Sequence, residues 1–252
     1  MKKDKLLIFI ITYKAKKRVY NVFKKINFKQ LKGYKAHILI SDDASNDSTI
    51  FYSRKVLKEY KSSKLNINKR NLGYGGNIKK CIKYGIKNKF KYAVMIHGDG
   101  QYSPTYIKNL VSNLSRKDCY AVTGSRLKLG LKKAVIGGMP LYKLLGNVFL
   151  TKFFNFAFKT NFKDAHTGLW AYRVEIFKKV KLKKLPNTFN FDQQMRIQLI
   201  KKGMKIREIP IKTIYADERS QLHILYAIKF FFITVFYFLK LDYLFNRKDF
   251  NW

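Results

Sequence analysis

Two short apolar runs, each ending in an acidic loop, constrain this 252-residue chain more than any other feature. Residues 38–40 lead into Ser41-Asp42-Asp43, and residues 92–96 lead into His97-Gly98-Asp99-Gly100-Gln101. Apolar runs of this length, bounded by turn signals, read as buried strands. Open α/β sheets bind their ligands at the carboxyl ends of such strands. One acidic strand end alone is an ordinary polar turn that caps a helix. Two of them, about sixty residues apart, form a candidate site for a hydrated divalent cation and a phosphorylated ligand.

The rest of the first half alternates in the same way. Residues 5–11 are strand-like, and Val19, Val22, Phe23 and Ile26 fall at helical spacing within 18–28. A helix over 45–60 has Asp47 or Ser48 as its cap. A short strand at 65–68, a helix at 76–86 and a strand at 120–123 continue the pattern, and Ser103-Pro104 starts another helix. Strands alternating with helices imply an α/β fold whose mainly parallel sheet is covered on both faces. In the second half, residues 127–139 are rich in glycine and lysine and read as a mobile loop. Residues 141–158 read as a helix, and strands at 169–172 and 206–214 flank a helix around 192–201. Lysines ahead of the apolar residues 6–11 imitate a signal peptide, but Tyr13-Lys14-Ala15-Lys16-Lys17 follows without a small-residue cleavage site. The run is therefore expected to be the first buried strand.

The formal net charge of +38 admits nucleic acid, an anionic membrane surface or an acidic substrate as partner. Only 10 of the 53 basic residues are Arg, and the lysines are spread from end to end. A nucleic-acid protein more often clusters its charge, and carboxylates at the strand ends would repel phosphate without a cation between them. No nucleic-acid partner is expected. Cys81 and Cys119 lack metal spacing and read as reduced core thiols of a cytosolic protein. Residues 222–245 are very apolar and aromatic, bounded or interrupted by Lys229, Lys240 and Asp242. The uninterrupted length is about half of what a spanning helix needs. Basic and aromatic flanks favour a helix lying in the membrane interface, with a core helix as the alternative. The expected organisation is a domain over 1–220 and an interfacial tail over 221–252.

Six motifs stand in order between residues 10 and 168. They are Ile10-Ile11-Thr12-Tyr13, Ser41-Asp42-Asp43-Ala44-Ser45-Asn46-Asp47-Ser48-Thr49, Asn71-Leu72-Gly73-Tyr74-Gly75-Gly76-Asn77, His97-Gly98-Asp99-Gly100-Gln101, Gly124-Ser125-Arg126 and Asp164-Ala165-His166-Thr167-Gly168. Together they resemble the family 2 glycosyltransferases, and within them the polyprenyl-phosphate sugar transferases of the dolichol-phosphate mannose synthase kind. The resemblance covers about residues 5 to 220. It implies a GT-A fold, a nucleotide-sugar donor, an inverting transfer and a lipid-linked acceptor such as polyprenyl phosphate. Transfer to a saccharide hydroxyl in surface-polysaccharide assembly is the alternative within enzymes, and a nucleic-acid-binding protein, on charge alone, is the alternative from another class. The expected location is the inner, cytoplasmic face of the cell membrane, as a peripheral protein.

The resemblance assigns the nucleotide to Thr12, Tyr13, Asp42, Asp43, Gly73, His97 and Gly98, with one of the two aspartates bracing the turn instead. Asp99 and Gln101 offer oxygen ligands to Mg2+ or Mn2+, which would stabilise the leaving pyrophosphate. His97 departs from the pattern, because the family carries Asp there. A neutral imidazole could face the nucleotide, favour Mn2+ over Mg2+ or hydrogen-bond the loop. Arg126, with Lys132 and Lys133 from the following loop, is expected near phosphate, for which the guanidinium fork is suited. Asp164, His166 and Asp192 are expected on the acceptor side. Asp192 is either a general base for a hydroxyl acceptor or an acid answering a helix dipole.

Overall fold

Leu6, Leu7, Ile8, Phe9 and Ile10 are all fully buried, so this stretch faces protein on both sides. That is the demand of a central parallel strand, and β1 (Asp4–Thr12) is one. The computed structural model describes residues 3–212 and 224–239. After β1 come α1 (Arg18–Lys24), β2 (Tyr34–Asp42), α2 (Thr49–Glu59), β3 (Ser63–Ile67), α3 (Tyr74–Lys87) and β4 (Tyr92–His97). Then follow α4 (Ile107–Leu114), β5 (Ala121–Ser125), α5 (Leu131–Ile136), α6 (Leu141–Phe158), β6 (Trp170–Arg173), α7 (Phe191–Lys201), β7 (Ile206–Pro210) and α8 (Ile224–Phe238).

Among the described residues the strands form one seven-stranded sheet in the order β3-β2-β1-β4-β6-β5-β7. All neighbours are parallel except β6, which runs antiparallel to both β4 and β5. The mainly parallel α/β sheet expected from the alternating pattern is therefore present, with one reversed strand that the pattern could not order. Side chains of β1 alternate between faces. Leu6, Ile8 and Ile10 join a core with α1, α2 and α4, whereas Leu7, Phe9 and Ile11 join one with α3 and α7. Register places the functional loops. Thr12 pairs with Asp42 and Ile11 with His97, so three strand ends meet at one edge. The chain moves outward from β1 to β3 and returns to β4 on the other side of β1. The crevice lies at that switch of direction.

Local sequence explains several boundaries. Asp47 caps α2 by accepting Thr49 N at 2.9 Å, while Ser48 makes no capping bond. Gly75 lets α3 approach the 186–191 loop, since a Cβ there would stand 2.3 Å from Pro186 O. The stretch expected as a mobile loop over 127–139 instead contains α5. Ala134 and Met139 pack with Leu127 and Leu144, and that small cluster orders it. The last strand ends at Pro210, and residues 213–214 of the expected strand lie outside the described residues.

The tail helix α8 packs against α6 and α7. Ile233 joins Phe154, Ala165 and Ile197 in a core cluster. Gln193 on α7 donates to Phe230 O and to Thr234 Oγ1, both at 2.8 Å. Residues 222–223 and 240–245 of the expected tail helix lie outside the described residues. No helix among the described residues is long and apolar enough to cross a membrane.

The two bonds from Gln193 fix how α8 sits. Each is worth about 1 kcal/mol, and removing both is expected to loosen the helix without unfolding the sheet. In Gln193→Ala, amide hydrogen exchange over 224–239 should rise at least about fivefold, while β1 and β4 stay protected. Unchanged exchange over α8 would show that apolar packing alone seats it.

Candidate active site

A cavity of about 880 Å³ opens at the carboxyl edge of β1 and β4 and extends beneath α6 and α8. Its polar end is built by the strand ends. Asp42 is fully buried and fully engaged, accepting Thr12 Oγ1 at 3.1 Å, Ser45 N at 2.8 Å and Ser45 Oγ at 2.7 Å. These bonds hold Ala44 at φ 62°, a left-handed conformation unusual for alanine. Asp43 faces the cavity. Its Oδ1 accepts Asn68 Nδ2 and Leu72 N, each at 2.8 Å, and its Oδ2 has no hydrogen-bond partner among the described residues. Of the two aspartates, Asp42 therefore braces the turn and Asp43 presents an oxygen to the cavity. Thr12, Tyr13 and Gly73 also line it.

The loop after β4 supplies the next wall. Gly98 packs against β1, donating its N–H to Ile11 O at 2.8 Å, and a Cβ there would stand 3.0 Å from Thr12 Cβ. Asp99 Oδ1 accepts Gln101 N at 3.0 Å, which folds the loop and leaves Oδ2 without a partner among the described residues. Asp99 and Gln101 both line the cavity. Among the described residues no cluster of three His, Cys, Asp or Glu could cage a metal. One carboxylate with a side-chain amide fits a cation that keeps waters and ligand phosphates in its shell.

His97 sits deeper. Its Nε2 lies 3.0 Å from Gly168 O and 3.3 Å from Tyr74 Oη. Tyr74 Oη donates to Asp192 Oδ2 at 2.7 Å, so Asp192 on α7 is tied to α3. Asp192 Oδ1 is buried without a partner among the described residues. Burial pushes the Asp192 carboxyl up to about 7, against the opposing pull of the Tyr74 hydrogen bond and the Arg196 charge. Burial also lowers the His97 imidazole, with the Asp99 charge acting in the opposite direction. The Tyr74 phenol rises well above its usual range through burial and the neighbouring Asp192.

Arg126 marks the middle of the cavity. Its Nε and Nη2 donate to the two oxygens of Asp164 at 2.7 and 2.8 Å, and Nη2 also reaches His166 O at 3.1 Å. Asp164 is fully buried and lies behind the lining. Burial pushes its carboxyl up, but the Arg126 charge and hydrogen bonds outweigh this and hold it at about 2. Lys143 of α6 lines the cavity as well, its ammonium lowered by burial and then by Arg126. His166 lines the wall toward α8, stacked on Phe230 at 5.3 Å, and burial lowers its imidazole to about 4. Lys132 and Lys133, expected here, are exposed on α5 and do not line the cavity.

Sequence reasoning passed over Tyr74, Asn77, Tyr102, Lys143, Asn147 and Phe189, all of which line or brace this space. Tyr74 and Asn77 stand within the glycine-rich motif at 71–77. Lys143, Asn147 and Leu150 fall at helical spacing on α6, which was the available signal.

Comparison with known proteins gives a family and a fold. The model of "Glycosyl transferase family 2" matches residues 7–181. A Methanococcus voltae protein described as a UDP-N-acetylglucosamine–dolichyl-phosphate N-acetylglucosaminyltransferase is 28% identical over 232 residues, covering 85% of this chain and 88% of its own. Mannosyl-3-phosphoglycerate synthase from Rubrobacter xylanophilus superposes with a TM-score of 0.70 at 12% identity, covering 94% of this chain and 74% of that one. Glucosyl-3-phosphoglycerate synthase from Mycobacterium tuberculosis, crystallised with Mn2+, uridine diphosphate and its product, gives 0.63 at 12% identity, covering 93% and 80%.

The Arg126–Asp164 pair is where the site and the stability of the fold meet. Asp164→Ala leaves a guanidinium without its partner and is expected to cost about 3–5 kcal/mol in urea unfolding. The folded-state pKa of Asp164 lies below its unfolded value, so its contribution is present above about pH 4. It is lost as pH falls toward 2. Acid titration of the native protein, followed by circular dichroism, should show a transition in that window that Asp164→Ala lacks.

Proposed function

The chain belongs to glycosyl transferase family 2, and on that basis we propose that this glycosyltransferase moves a sugar from a nucleoside diphosphate to the phosphate of a membrane polyprenyl phosphate. The carrying observation is the two-ended cavity. One end holds the Asp43 and Asp99 carboxylates, each with one oxygen unengaged among the described residues, the other runs between α6 and α8, and Arg126 and Lys143 lie between them. The dolichyl-phosphate acceptor named for the Methanococcus voltae relative supports the same reading.

Asp43, Thr12, Tyr13, Gly73 and Gly98 are assigned to the nucleotide. Asp99 with Gln101 is assigned to Mg2+ or Mn2+, as the Mn2+ bound with nucleotide in the Mycobacterium tuberculosis neighbour supports. When bound, such a cation supplies Lewis-acid stabilisation to the departing diphosphate. The acceptor phosphate oxygen attacks the anomeric carbon as the bond to the diphosphate breaks, with inversion. That oxygen is already anionic and needs no base. Arg126 and Lys143 offset its charge on approach. Asp192, neutral below about pH 7, avoids repelling it and can donate a hydrogen bond through Oδ1, which has no partner among the described residues.

The lipid tail is assigned to the apolar arm. Leu141, Leu145, Phe149 and Phe156 form an exposed stripe on α6, beside exposed Ile228, Phe232 and Phe238 on α8. Phe153 meets Phe231 at 4.9 Å and Phe156 meets Phe238 at 5.6 Å, so the two exposed rows adjoin. Apolar surface of this extent marks a contact face. With the lysine-rich surface around it, the face suits the interface of an anionic membrane. The protein would then work peripherally on the inner face, with residues 221–252 contributing through α8.

Two outcomes are expected. With radiolabelled donor and extracted membrane lipid, organic-phase product should fall as pH rises through about 7, because Asp192 becomes charged. Asp192→Asn should retain turnover within about tenfold and remove that fall, since no general base is lost. Activity that rises with pH and vanishes in Asp192→Asn would instead mark a saccharide-hydroxyl acceptor. Separately, Leu145→Ser, Phe149→Ser and Phe232→Ser combined should weaken co-sedimentation with anionic vesicles at least about tenfold. High salt alone should weaken it only in part.

A further inference from the structure

Metal-binding histidines are held in one tautomer by a hydrogen bond from the ring nitrogen that does not meet the metal, often to a backbone carbonyl. His97 is held in this way. Gly168 O, 3.0 Å from Nε2, can only accept, so Nε2 carries the proton. Tyr74 Oη, 3.3 Å from the same nitrogen, directs its own proton to Asp192 and leaves this tautomer undisturbed. Nδ1 is thereby a lone pair, and it has no hydrogen-bond partner among the described residues. The ring is also fixed in place. Tyr74 and Tyr102 stand 5.6 and 5.1 Å from it, and a Cβ on Gly168 would lie 3.0 Å from its Cε1. His97 opens the loop whose Asp99, two residues later, has a carboxylate oxygen without a partner among the described residues, and both line the same cavity.

We infer that His97 Nδ1 joins Asp99 as a protein ligand of the divalent cation, making a mixed nitrogen–oxygen site that takes Mn2+ in preference to Mg2+. The inference rests on the nucleotide-sugar reading of the cavity. Mg2+ demands oxygen ligands in near-ideal geometry and gives up water reluctantly, so an imidazole nitrogen adds little for it. Mn2+ accepts carboxylate oxygen and gains more from imidazole. An aspartate at position 97 would give a second hard carboxylate and erase the distinction. The same exchange leaves the loop with one negative charge fewer, so ligand softness has to supply what charge does not.

The test uses the full chain with Mn2+ and either uridine or guanosine diphosphate as probes. Electron spin-echo modulation of bound Mn2+ should show nitrogen coupling that changes when the histidines are labelled with nitrogen-15 and disappears in His97→Asp. Competition titration of Mn2+ against Mg2+ should show the Mn2+ preference falling at least about tenfold in His97→Asp. Mn2+ binding that needs Asp99, lost in Asp99→Ala, but shows no nitrogen coupling and an unchanged preference in His97→Asp would overturn the inference alone. Binding of neither Mn2+–diphosphate complex, or binding indifferent to Asp99→Ala, would overturn the nucleotide-sugar reading of this loop and the inference with it. Thermal melts of both variants establish that the fold persists.

Discussion

Everything at the site depends on the parallel register of β1 with its two neighbours. Thr12 opposite Asp42 and Ile11 opposite His97 are consequences of backbone pairing, and a slip of one residue would turn each side chain to the other face. The register is fixed because both faces of β1 are buried, with alternate side chains committed to different cores. The order β3-β2-β1-β4 then makes the crevice, since the chain leaves β1 in one direction and resumes on its other side. The loops that carry the chemistry are placed by their first residues, which are strand ends.

The carboxylates at this edge divide the work by how many of their oxygens the fold already uses. Asp42 has both engaged and serves the turn. Asp43 and Asp99 each have one oxygen engaged, which orients the group, and one without a partner among the described residues. Asp164 pairs with Arg126 in a two-point contact and sets where that guanidinium stands. Asp192 has one oxygen on Tyr74 and one buried without a partner among the described residues, and its raised pKa follows from that burial. Pre-orientation by one bond, with the second left open, is what a charged ligand needs from a rigid site.

Along the cavity's far side, α6, α7 and α8 build a wall of different character. α7 carries Asp192 on the cavity, Gln193 on α8 and Arg196 in the interior, all within two turns. Arg196 is fully buried between Phe162 and Trp170, 4.6 Å from each ring centroid. Its charge lies one turn from Asp192 and opposes the effect of burial there. The seat of α8 and the state of Asp192 are thus set by neighbouring residues of one short helix.

The α/β alternation, the buried first strand, the two acidic strand ends and about a third of the residues that line the cavity were legible in the sequence. These are local properties, carried by hydrophobic period and turn chemistry within a few residues. The place of β6 was not legible, because its antiparallel pairing with β4 spans about eighty residues. Residues 127–139 read as a loop because glycine and lysine dominate there, whereas packing of Ala134 and Met139 against α6 orders a short helix. That helix also carries Lys132 and Lys133 out to solvent, away from the cavity. Tertiary contacts alone establish which aspartate braces and which is free, that Asp164 clamps Arg126, and that Tyr74 links His97 to Asp192. Those contacts join residues 30, 38 and 118 positions apart, and no local pattern records which hydrogen bond a side chain has already made.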